Sequence, residues 1–507
     1  MKILLTTLNS KFIHSNLALR YLYEAAAEYR SSLVLQEFTI NQEEDHIYLE
    51  ILRGGYDAVC FSCYIWNRDK TLQLADNLKK AKPGLAILAG GPELSIEPVK
   101  AMTEHKSLDF VIEGEGERPF FLWLAQMHQS SPDFQQIPGL SWRSAGKLCS
   151  NPPAPPLPMT EIPFPYEHRD PDPDKLVYYE TSRGCPFRCS YCLSSLSKGI
   201  RSLPLETVKL QLTRLLQWKL PQIKLVDRTF NWDRARCEEI VDFLIDQDNG
   251  VTNFHLELCG DLIDPPLISL LGRARKGLFQ LEIGVQSTNP RVLEVVSRVC
   301  DFPVLARNVE RIRELGTAHL HLDLIAGLPH EDLASFRNSF NDVYRIQPDH
   351  LQLGFLKMLH GSGIREQAQE FGYLYRKKPP YEVISNRDLS ATEIVLLKMI
   401  ENVLDLYYNR GGFPRTLQAL TSRSSWTPFD CYRALALYYY ESGFQHRSHS
   451  KEDLYRILRN FLEESKDLSQ EEKDKALHLL LADREAHLHP DAIHKFDKKG
   501  WEIQKEN

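Results

Sequence analysis

The sequence predicts an α/β protein in which two domains of alternating strands and helices precede an all-helical domain. Short apolar segments alternate with amphipathic segments of helical period over residues 1–150, and the same rhythm returns over residues 176–370. A proline-rich linker, residues 151–175, separates the two series. Over residues 371–507 only helical periodicity remains. The length of 507 residues agrees with about three domains of roughly 150 residues each.

The composition is that of an ordinary soluble globular protein, with 43% hydrophobic and 25% charged residues. The formal net charge of −7 argues against a general nucleic-acid-binding protein, which would usually be basic. No apolar run approaches the ~20 residues that a membrane-spanning helix needs, and the first residues lack a signal-peptide pattern. The ten cysteines show no extracellular disulfide framework. We therefore expect a cytoplasmic protein that binds neither nucleic acid nor membrane.

The first series predicts a doubly wound, Rossmann-like parallel sheet, because repeated strand–helix units place successive strands side by side in one direction. A β-hairpin over residues 139–149 is expected to follow it. In such a sheet, ligands bind beyond the carboxyl ends of the strands. The candidate ligand-binding residues at these ends are Asn9, Ser62, Gly90, Gly91, Glu93, Gly114 and Glu115.

Residues 181–192 carry three cysteines with the spacing C-x3-C-x2-C, at Cys185, Cys189 and Cys192. They lie on a loop that directly follows a buried strand, residues 176–180. Iron–sulfur cubanes are normally held by four thiolates. Three thiolates would therefore hold three irons and leave the fourth iron open to a ligand.

A zinc site and three unrelated core cysteines are the alternatives for this loop. Zinc prefers two C-x2-C pairs, or one such pair with two histidines, and no fourth ligand with such spacing follows in the sequence. Gly184, Pro186 and the charged Arg188 make a poor core strand. The pattern therefore favours an iron–sulfur site.

The motif C-x3-C-x-aromatic-C, with Tyr191 as the aromatic residue, resembles the signature of the radical S-adenosylmethionine (radical SAM) enzymes. The resemblance implies a [4Fe–4S] cluster whose open iron binds S-adenosylmethionine and whose electron cleaves it to a 5′-deoxyadenosyl radical. It also implies that the second series, with six expected strands from Val177 onward, forms the family's partial (βα)6 barrel. The active site of such a barrel lies at the carboxyl ends of its strands.

The same resemblance implies a set of residues that contact S-adenosylmethionine. Asp227 begins the segment that would meet the methionyl amino group, and Gly327 belongs to the strand-five segment that would meet adenine through backbone groups. A barrel interior is expected to be apolar, so each polar side chain there needs a partner, and a satisfied interior hydrogen bond is the alternative. The implied contacts are Tyr191, Asp227, Glu257, Glu282, Gln286 and Gly327.

Four further residues of the second series are candidates for chemistry. His319, His321 and Asp323 alternate with leucines on one strand and so face one side of it. They fit either a general acid–base role or a structural hydrogen-bond network. Cys259, at the end of another strand, fits a hydrogen-atom donor, a methyl acceptor or a plain buried cysteine. The sequence assigns no catalytic residue among them.

The order of the first series, with Gly90-Gly91 after strand four, resembles that of cobalamin-binding domains. The fullest pattern of those domains has Asp-x-His-x-x-Gly after strand one. Here His14 falls near the histidine position, whereas Phe12 and Leu17 stand where the aspartate and glycine would be. The resemblance thus implies cobalamin bound without histidine ligation. The alternative is a degenerate Rossmann-like domain that binds nothing or a different ligand.

Taken together, these resemblances imply a cobalamin-dependent radical SAM enzyme, whose most common chemistry is methylation of an unactivated carbon. They also imply a small-molecule or peptide substrate and an electron-donor protein such as flavodoxin or ferredoxin. Two alternatives stay open: a cobalamin-assisted radical cyclase, oxidase or rearrangement enzyme without methyl transfer, and a non-catalytic cobalamin- or redox-responsive binding protein. The sequence assigns neither the substrate and product, nor the lower cobalt ligand, nor the oligomeric state.

The all-helical domain, residues 371–507, which we call the helical end, carries no motif that indicates a function. It does carry two helix-start signals, at Ser390 with Glu393 and at Ser469 with Glu472, which have the spacing of capping boxes. These signals predict that a helix begins directly after each serine.

Overall fold

The computed structural model of the protein describes residues 1–197, 199–423 and 426–499. The strands are β1 Ile3–Asn9, β2 Leu33–Thr39, β3 Ala58–Ser62, β4 Ala86–Gly90, β5 Phe110–Ile112, β6 Leu140–Ser144, β7 Lys147–Ser150, β8 Val177–Tyr179, β9 Ser182–Gly184, β10 Ile200–Ser202, β11 Gln222–Leu225, β12 Asn253–Leu258, β13 Phe279–Gln286, β14 His319–Ala326, β15 His350–Phe355, β16 Leu374–Tyr375 and β17 Val383–Ser385.

The helices alternate with these strands up to the end of the barrel and then follow one another. They are α1 Leu17–Ala25, α2 Glu44–Arg53, α3 Arg68–Ala81, α4 Pro92–Ser95, α5 Pro98–Glu104, α6 Glu117–Met127, α7 Leu205–Gln217, α8 Arg234–Asp246, α9 Pro265–Arg273, α10 Pro290–Val295, α11 Phe302–Leu315, α12 Leu333–Ile346, α13 Gly363–Glu366, α14 Ala391–Leu404, α15 Pro414–Thr421, α16 Pro428–Glu441, α17 Lys451–Glu464, α18 Gln470–His487 and α19 Pro490–Lys499.

The N-terminal sheet has the strand order β2-β1-β3-β4-β5-β6-β7. Strands β1 to β5 are parallel, and β6 and β7 form the predicted antiparallel hairpin at one edge. A separate apolar core covers each face of the sheet, which confirms the doubly wound prediction. Because β1 lies between β2 and β3, successive strands are added on one side of β1 first and then on its other side. A crevice that can take a ligand opens at the carboxyl ends of strands with this order.

The central sheet has the order β15-β14-β13-β12-β11-β8, and its pairs are all parallel. This arrangement confirms the partial (βα)6 barrel. In β13 every second residue is fully buried, so that Phe279, Leu281 and Ile283 face the surrounding helices. Gln280 and Glu282 alternate with them and therefore point to the inside of the barrel.

The expectation of an apolar barrel interior is wrong for this chain. The inner face carries polar residues on each of β11 to β15, and apart from the buried His255 these side chains are partly buried or exposed. The physical reason is that β8 and β15 lie at opposite edges of the sheet, so the barrel stays open between them and its inner face is not closed off by packed apolar side chains. We call this inner space the lumen; its polar residues include Lys224, His255, Glu282, His321 and His350.

The proline-rich stretch is packed along both α/β domains. Phe164 and Tyr166 are buried in the apolar core of the barrel. Arg20 of α1 donates a hydrogen bond to the Arg169 carbonyl at 3.0 Å, and His168 lies 2.9 Å from the Glu24 carboxylate. The stretch therefore connects the N-terminal sheet to the barrel through side-chain contacts as well as through the backbone.

The helical end packs against the outside of the barrel. Ser390 and Ser469 cap α14 and α18 in capping boxes, as predicted. The Phe429 amide of α16 donates to Asn341 of α12 at 2.8 Å. Among the described residues, no helix has the length and apolar character that crossing a bilayer requires.

A buried carboxyl group, Glu331, lies at the base of α12. Its side chain accepts hydrogen bonds from Ser287 at 2.6 Å and Ser339 at 3.1 Å, and its second oxygen has no partner within the described ranges. Burial raises the pKa of Glu331 to about 7 from an ordinary value of 4.5, although the two serine hydrogen bonds oppose the rise.

Glu331→Gln is expected to stabilise the protein at alkaline pH. The folded state holds the Glu331 proton more tightly than the unfolded state, so this group costs stability as pH rises from 4.5 to about 7. The full cost above that range is about 3 kcal/mol. Urea unfolding near pH 5 and pH 8 measures it: the variant should gain about 3 kcal/mol over wild type at the higher pH only. A gain independent of pH, or one shared by the exposed Glu314→Gln, would contradict this account.

Candidate functional site

The cysteine loop is fixed at its base by Asp227, a fully buried carboxylate at the end of β11. Asp227 accepts hydrogen bonds from the Thr181 amide at 2.9 Å, the Thr181 hydroxyl at 2.7 Å and the Ser182 hydroxyl at 2.5 Å. Strands β9 and β10 then pair as a ribbon that brackets the loop. Gly184 has a φ of 105°, and an added Cβ would lie 2.1 Å from the Gly199 carbonyl oxygen, so this position requires glycine.

The middle of the loop is held by two further parts of the chain. The Ser190 amide donates to the Val296 carbonyl at 2.9 Å, and the Ile364 amide donates to the Ser190 carbonyl at 2.9 Å. These backbone bonds fix the position of Cys189 and Cys192 on either side. The loop is thus anchored by the barrel and by the segment that leaves its last strand.

Two of the three cysteines have a hydrogen-bond donor beside their sulfur atom. Cys189 is buried, and Cys185 and Cys192 are half-buried. Burial raises the pKa of Cys189, whereas the Arg298 guanidinium, 4.0 Å from its sulfur, opposes that rise. The Ser194 amide donates to the Cys192 sulfur at 3.4 Å. Positive charge and N–H donors stabilise a thiolate, which is the form that binds iron.

In the described part of the chain, no three His, Cys, Asp or Glu side chains are grouped as they would be around a single metal ion. Thiolates that bind separate irons of a cubane do not require such a grouping.

A small polar cavity of about 140 Å³ lies next to the cysteine loop. Its wall includes Glu257, Glu282, Gln286 and Arg298. The side-chain oxygen of Gln286, Oε1, and the Arg298 Nε are buried and have no hydrogen-bond partner among the described residues. Buried polar atoms are nearly always paired, so these two indicate a polar ligand in the cavity. The residues present therefore fit S-adenosylmethionine.

Gln286 also has a strained backbone. Its φ is 73°, and the register of β13 against β14 shifts between Gly284 and Gln286. A positive φ is costly for a residue other than glycine and persists where surrounding structure enforces it. The distortion aims the Gln286 side chain at the end of the strand, where the cavity lies.

The two carboxylates of this cavity differ in their charge preference. Burial would raise the pKa of Glu282, but a 2.8 Å hydrogen bond to His255 and the Lys224 ammonium, 3.2 Å away, lower it to about 2. Burial raises the pKa of Glu257, which Lys224 only partly offsets. Glu282 is therefore the fixed negative charge of the site, and it is suited to accept hydrogen bonds from ligand hydroxyl groups.

The structure places the implied S-adenosylmethionine contacts in two groups. Glu257, Glu282 and Gln286 line the small cavity. Tyr191 lies next to it, 3.4 Å from Arg298. Asp227 and Gly327 do not line it: Asp227 holds the cysteine loop from below, as described above. The Gly327 carbonyl accepts hydrogen bonds from Tyr373 at 2.8 Å and Asn386 at 3.1 Å.

The other four residues that were candidates for chemistry lie at different places in the barrel. Cys259 lines the small cavity and donates to Asp261 at 2.9 Å; burial raises its pKa. Asp323 lines the cavity too, and His321 lies 2.9 Å from it in the lumen. His319 is exposed at the opposite end of the strand.

A larger cavity of about 720 Å³ lies between the carboxyl edge of the N-terminal sheet and the barrel. The predicted residues that line it are Asn9, Ser62, Gly90, Gly91, Gly114 and Glu115. Glu93 does not line it: its carboxylate turns toward the helical end and accepts a hydrogen bond from Tyr381 at 2.8 Å. The barrel closes the other side through Tyr178, Glu180, Arg183 and Arg228.

The shape and lining of this cavity fit a large cofactor. The volume lies within the usual range for small-molecule and cofactor sites, and most of the exposed wall is apolar. Gly91 has a φ of 98°, and an added Cβ would lie 2.4 Å from the Cys63 carbonyl oxygen, so only glycine allows this turn of the wall. The residues present therefore fit cobalamin.

His14 lies in the wall of the larger cavity. Its Nδ1 is 2.6 Å from the Tyr178 hydroxyl, so the ring contacts the barrel across the domain boundary. Burial lowers the pKa of His14, and the nearby Lys11 and Lys224 lower it further. The structure thus places a histidine with a lowered pKa at this boundary.

Sequence reasoning missed the charge network that joins the two α/β domains. Arg183 contacts Glu117 at 2.6 Å, Glu180 at 2.7 Å and Glu115 at 3.3 Å, and Arg201 also pairs with Glu115. Glu115 and Glu117 lie after β5 and at the start of α6 in the N-terminal domain, whereas the two arginines lie on the β9–β10 ribbon beside the barrel. A single arginine between a strand and a cysteine motif gives no local signal of such partners.

Two domain families match the parts of the chain that form the two cavities. Residues 3–121 match the B12 binding domain, and residues 179–343 match the radical SAM superfamily. The chain is therefore a radical SAM protein with an N-terminal B12-binding domain. The helical end matches a more particular family over residues 369–503, described as a protein of unknown function (DUF4080).

The chain is also similar to individual proteins. It is 26% identical over 307 residues to 2-(S-pantetheinyl)-carbapenam-3-carboxylate methyltransferase of Streptantibioticus cattleyicolor, a match that covers 57% of this chain and 44% of that one. The chain thus accounts for less than half the length of this relative.

Solved structures share the overall fold. The radical S-adenosylmethionine methyltransferase TsrM of Kitasatospora setae, with cobalamin and a [4Fe–4S] cluster bound, superposes with a TM-score of 0.62 at 15% identity, covering 96% of this chain and 100% of that one. The cobalamin-dependent enzyme OxsB, with aqua-cobalamin and S-adenosylmethionine bound, gives a TM-score of 0.65 at 15% identity over 99% and 83% of the chains. At such identity the likeness shows the fold.

Proposed function

We propose that this protein is a cobalamin-dependent radical SAM enzyme that methylates an unactivated carbon. The observation that carries the proposal is that the small polar cavity beside the cysteine loop and the large cavity of the B12-binding sheet share a wall residue, Arg228. Ligands of the two cavities are therefore neighbours. The similarity to a methyltransferase favours methyl transfer over the other radical reactions.

When bound, the cluster supplies the electron that cleaves S-adenosylmethionine, and cobalamin serves as the methyl carrier. The chain's own residues hold and orient these groups. Cys185, Cys189 and Cys192 are the proposed cluster ligands, and Arg298 offsets their negative charge. Glu282 and Gln286 offer acceptor oxygens to S-adenosylmethionine.

The N-terminal sheet has the corresponding role for cobalamin. Asn9, Ser62, Gly90, Gly91 and Gly114 form the wall proposed to hold it. The largely apolar lining and the barrel on the opposite side would exclude water from the space between the cofactors. Exclusion of water protects a carbon radical from side reactions.

The proposal is tested by anaerobic reconstitution with iron, sulfide and cobalamin. The loaded protein is mixed with S-adenosylmethionine that carries a labelled methyl group, and then with a reductant. We expect about four iron atoms per chain, retained cobalamin and formation of 5′-deoxyadenosine. In an extract that contains the substrate, the label is expected in the product.

Each failure of this experiment has a distinct meaning. An unlabelled but altered product would overturn methyl transfer in favour of a cyclase, oxidase or rearrangement enzyme. Cofactor binding without 5′-deoxyadenosine under any reductant would support a non-catalytic binding protein. Absence of the cluster would overturn the proposal as a whole.

We further propose a small-molecule or peptide substrate and a flavodoxin- or ferredoxin-type electron donor. A reducing compartment such as the cytoplasm suits an oxygen-sensitive cluster, and the ten cysteines, which are all free thiols in the structure, support this placement.

A further inference from the structure

The Arg228 side chain lies in the wall that the small and large cavities share. It is exposed within this space, and it makes no hydrogen bond or ion pair with any residue that the structure describes. We propose that Arg228 binds an anionic oxygen group, a carboxylate or a phosphate, of the substrate. This inference rests on the proposed function, because it places the substrate between the two cofactor sites.

The other cations around these cavities are already paired. Arg183 contacts three carboxylates, as described above. Arg298 donates to the Gly284 carbonyl and to Tyr191. Lys224 lies 3.2 Å from Glu282 and 3.5 Å from Glu257. Arg228 thus differs from them in having its planar set of donors free to bind an anion in two parallel hydrogen bonds.

Two carboxylates in the same cavity walls already have a closer cation than Arg228. Glu180 accepts a 2.7 Å hydrogen bond from Arg183, and Glu257 lies 3.5 Å from Lys224. Arg228 also lowers the pKa of Glu257, but it does so from beyond ion-pair distance. A positive charge without an ion-pair partner attracts an anion more strongly than one that a carboxylate already neutralises. An unpaired guanidinium at this junction is therefore suited to a ligand that brings the negative charge.

The backbone at Arg228 is held on both sides, which fixes the point from which its side chain extends. Asp227 before it is hydrogen-bonded to the start of the cysteine loop. Thr229 after it lies 3.6 Å from the Cys185 sulfur, and the Phe230 amide donates to the Glu257 carbonyl at 2.8 Å. An anion held by Arg228 therefore lies beside the cysteine loop and at the edge of the large cavity at once. The substrate class that follows is a carboxylic acid or a phosphate ester.

The experiment measures anion binding and needs no turnover. The holoenzyme is loaded with the cluster, S-adenosylmethionine and paramagnetic cob(II)alamin, and propionate or methyl phosphate is added as the probe. A probe near cobalt has its proton NMR signals broadened. We expect saturable broadening of at least one of the two anions and none of the neutral propionamide. The anion that binds more tightly identifies the group as a carboxylate or a phosphate.

Arg228→Gln is expected to weaken this binding about ten-fold or more, since it removes a charge-assisted hydrogen-bond pair. Arg228→Lys, which keeps the charge but loses the paired donors, should fall between that variant and wild type. Arg273→Gln, a substitution of a surface arginine on α9, should bind the probe as wild type does.

The cofactors themselves contain anionic groups, and separate measurements distinguish them. The dissociation constant of S-adenosylmethionine and the retention of cobalamin should change less than about two-fold in Arg228→Gln. Weaker S-adenosylmethionine binding would assign Arg228 to the methionyl carboxylate and overturn the proposal. Loss of cobalamin but not of cobinamide, which lacks the phosphodiester, would assign it to cobalamin and overturn it as well.

Two further outcomes complete the test. Absence of saturable anion binding in wild type, or equal binding in wild type and Arg228→Gln, overturns the proposal. Anion binding that depends on Arg228, in a protein that forms no 5′-deoxyadenosine, would sustain the anion site while the proposed function fails.

Discussion

Cys189→Ala is expected to abolish both the iron–sulfur cluster and the formation of 5′-deoxyadenosine. Three thiolates hold three of the four irons and leave one open to S-adenosylmethionine, and Cys189 is the most deeply buried of the three. Its loss leaves two thiolates for the cubane. Iron analysis, the visible spectrum and chromatography of 5′-deoxyadenosine after reductant measure the result, and we expect product at the level of the protein-free blank.

Cys149→Ala is the matched control for this variant. Cys149 is half-buried and lies on β7 of the N-terminal hairpin, opposite Trp142 and away from the cysteine loop. This variant should load iron and form 5′-deoxyadenosine as wild type does. A cluster of wild-type stability in Cys189→Ala would contradict the assignment of the loop, whereas retained cobalamin in that variant is expected, because the B12-binding sheet is untouched.

Arg183→Ala is expected to lower the free energy of unfolding by about 3–5 kcal/mol and to reduce cobalamin retention. The change removes the shared partner of Glu115, Glu117 and Glu180, and it leaves two of these carboxylates nearly inaccessible to water. An unpaired buried charge is far costlier than a lost surface pair. Urea unfolding and the cobalamin content after gel filtration measure both effects.

Two variants test this explanation of the Arg183 effect. Arg273→Ala removes an exposed arginine that pairs with Asp242 at 2.6 Å, and it should cost less than about 1 kcal/mol. Arg183→Met combined with Glu117→Gln and Glu180→Gln removes the charges together, and it should recover much of the lost stability. Equal losses in Arg183→Ala and Arg273→Ala would show that the network does not stabilise the domain boundary.

The sequence was sufficient for the two sheets because their strands follow simple burial rules. The segment Ile3–Asn9, which begins with three apolar residues, forms a strand that is buried at every position. The alternation of Phe279–Gln286 forms a strand with one face in the apolar core and one face toward the lumen. The same alternation drew attention to Glu282 and Gln286, which do line the small cavity. Local pattern thus reports which way a side chain points.

The partners of these side chains depend on distant parts of the chain, which no local pattern contains. Glu93 was expected in the cofactor wall, but it meets Tyr381, 288 residues further along. Asp227 was expected at a ligand, but two residues of the cysteine loop turn their hydroxyl groups toward it. Arg183 and Arg228 carry no motif at all, and only the folded arrangement separates the paired arginine from the unpaired one.

Along β11 to β15, the residues on the two sides of each strand have different roles. The outward residues, such as Leu281 and Leu322, hold the sheet to its helices and are fully buried. The inward residues, such as His321 and His350, are less buried and contribute less to that packing. A replacement in the lumen can therefore alter what the barrel accepts at little cost to folding, which gives the protein a route to new substrates through few mutations.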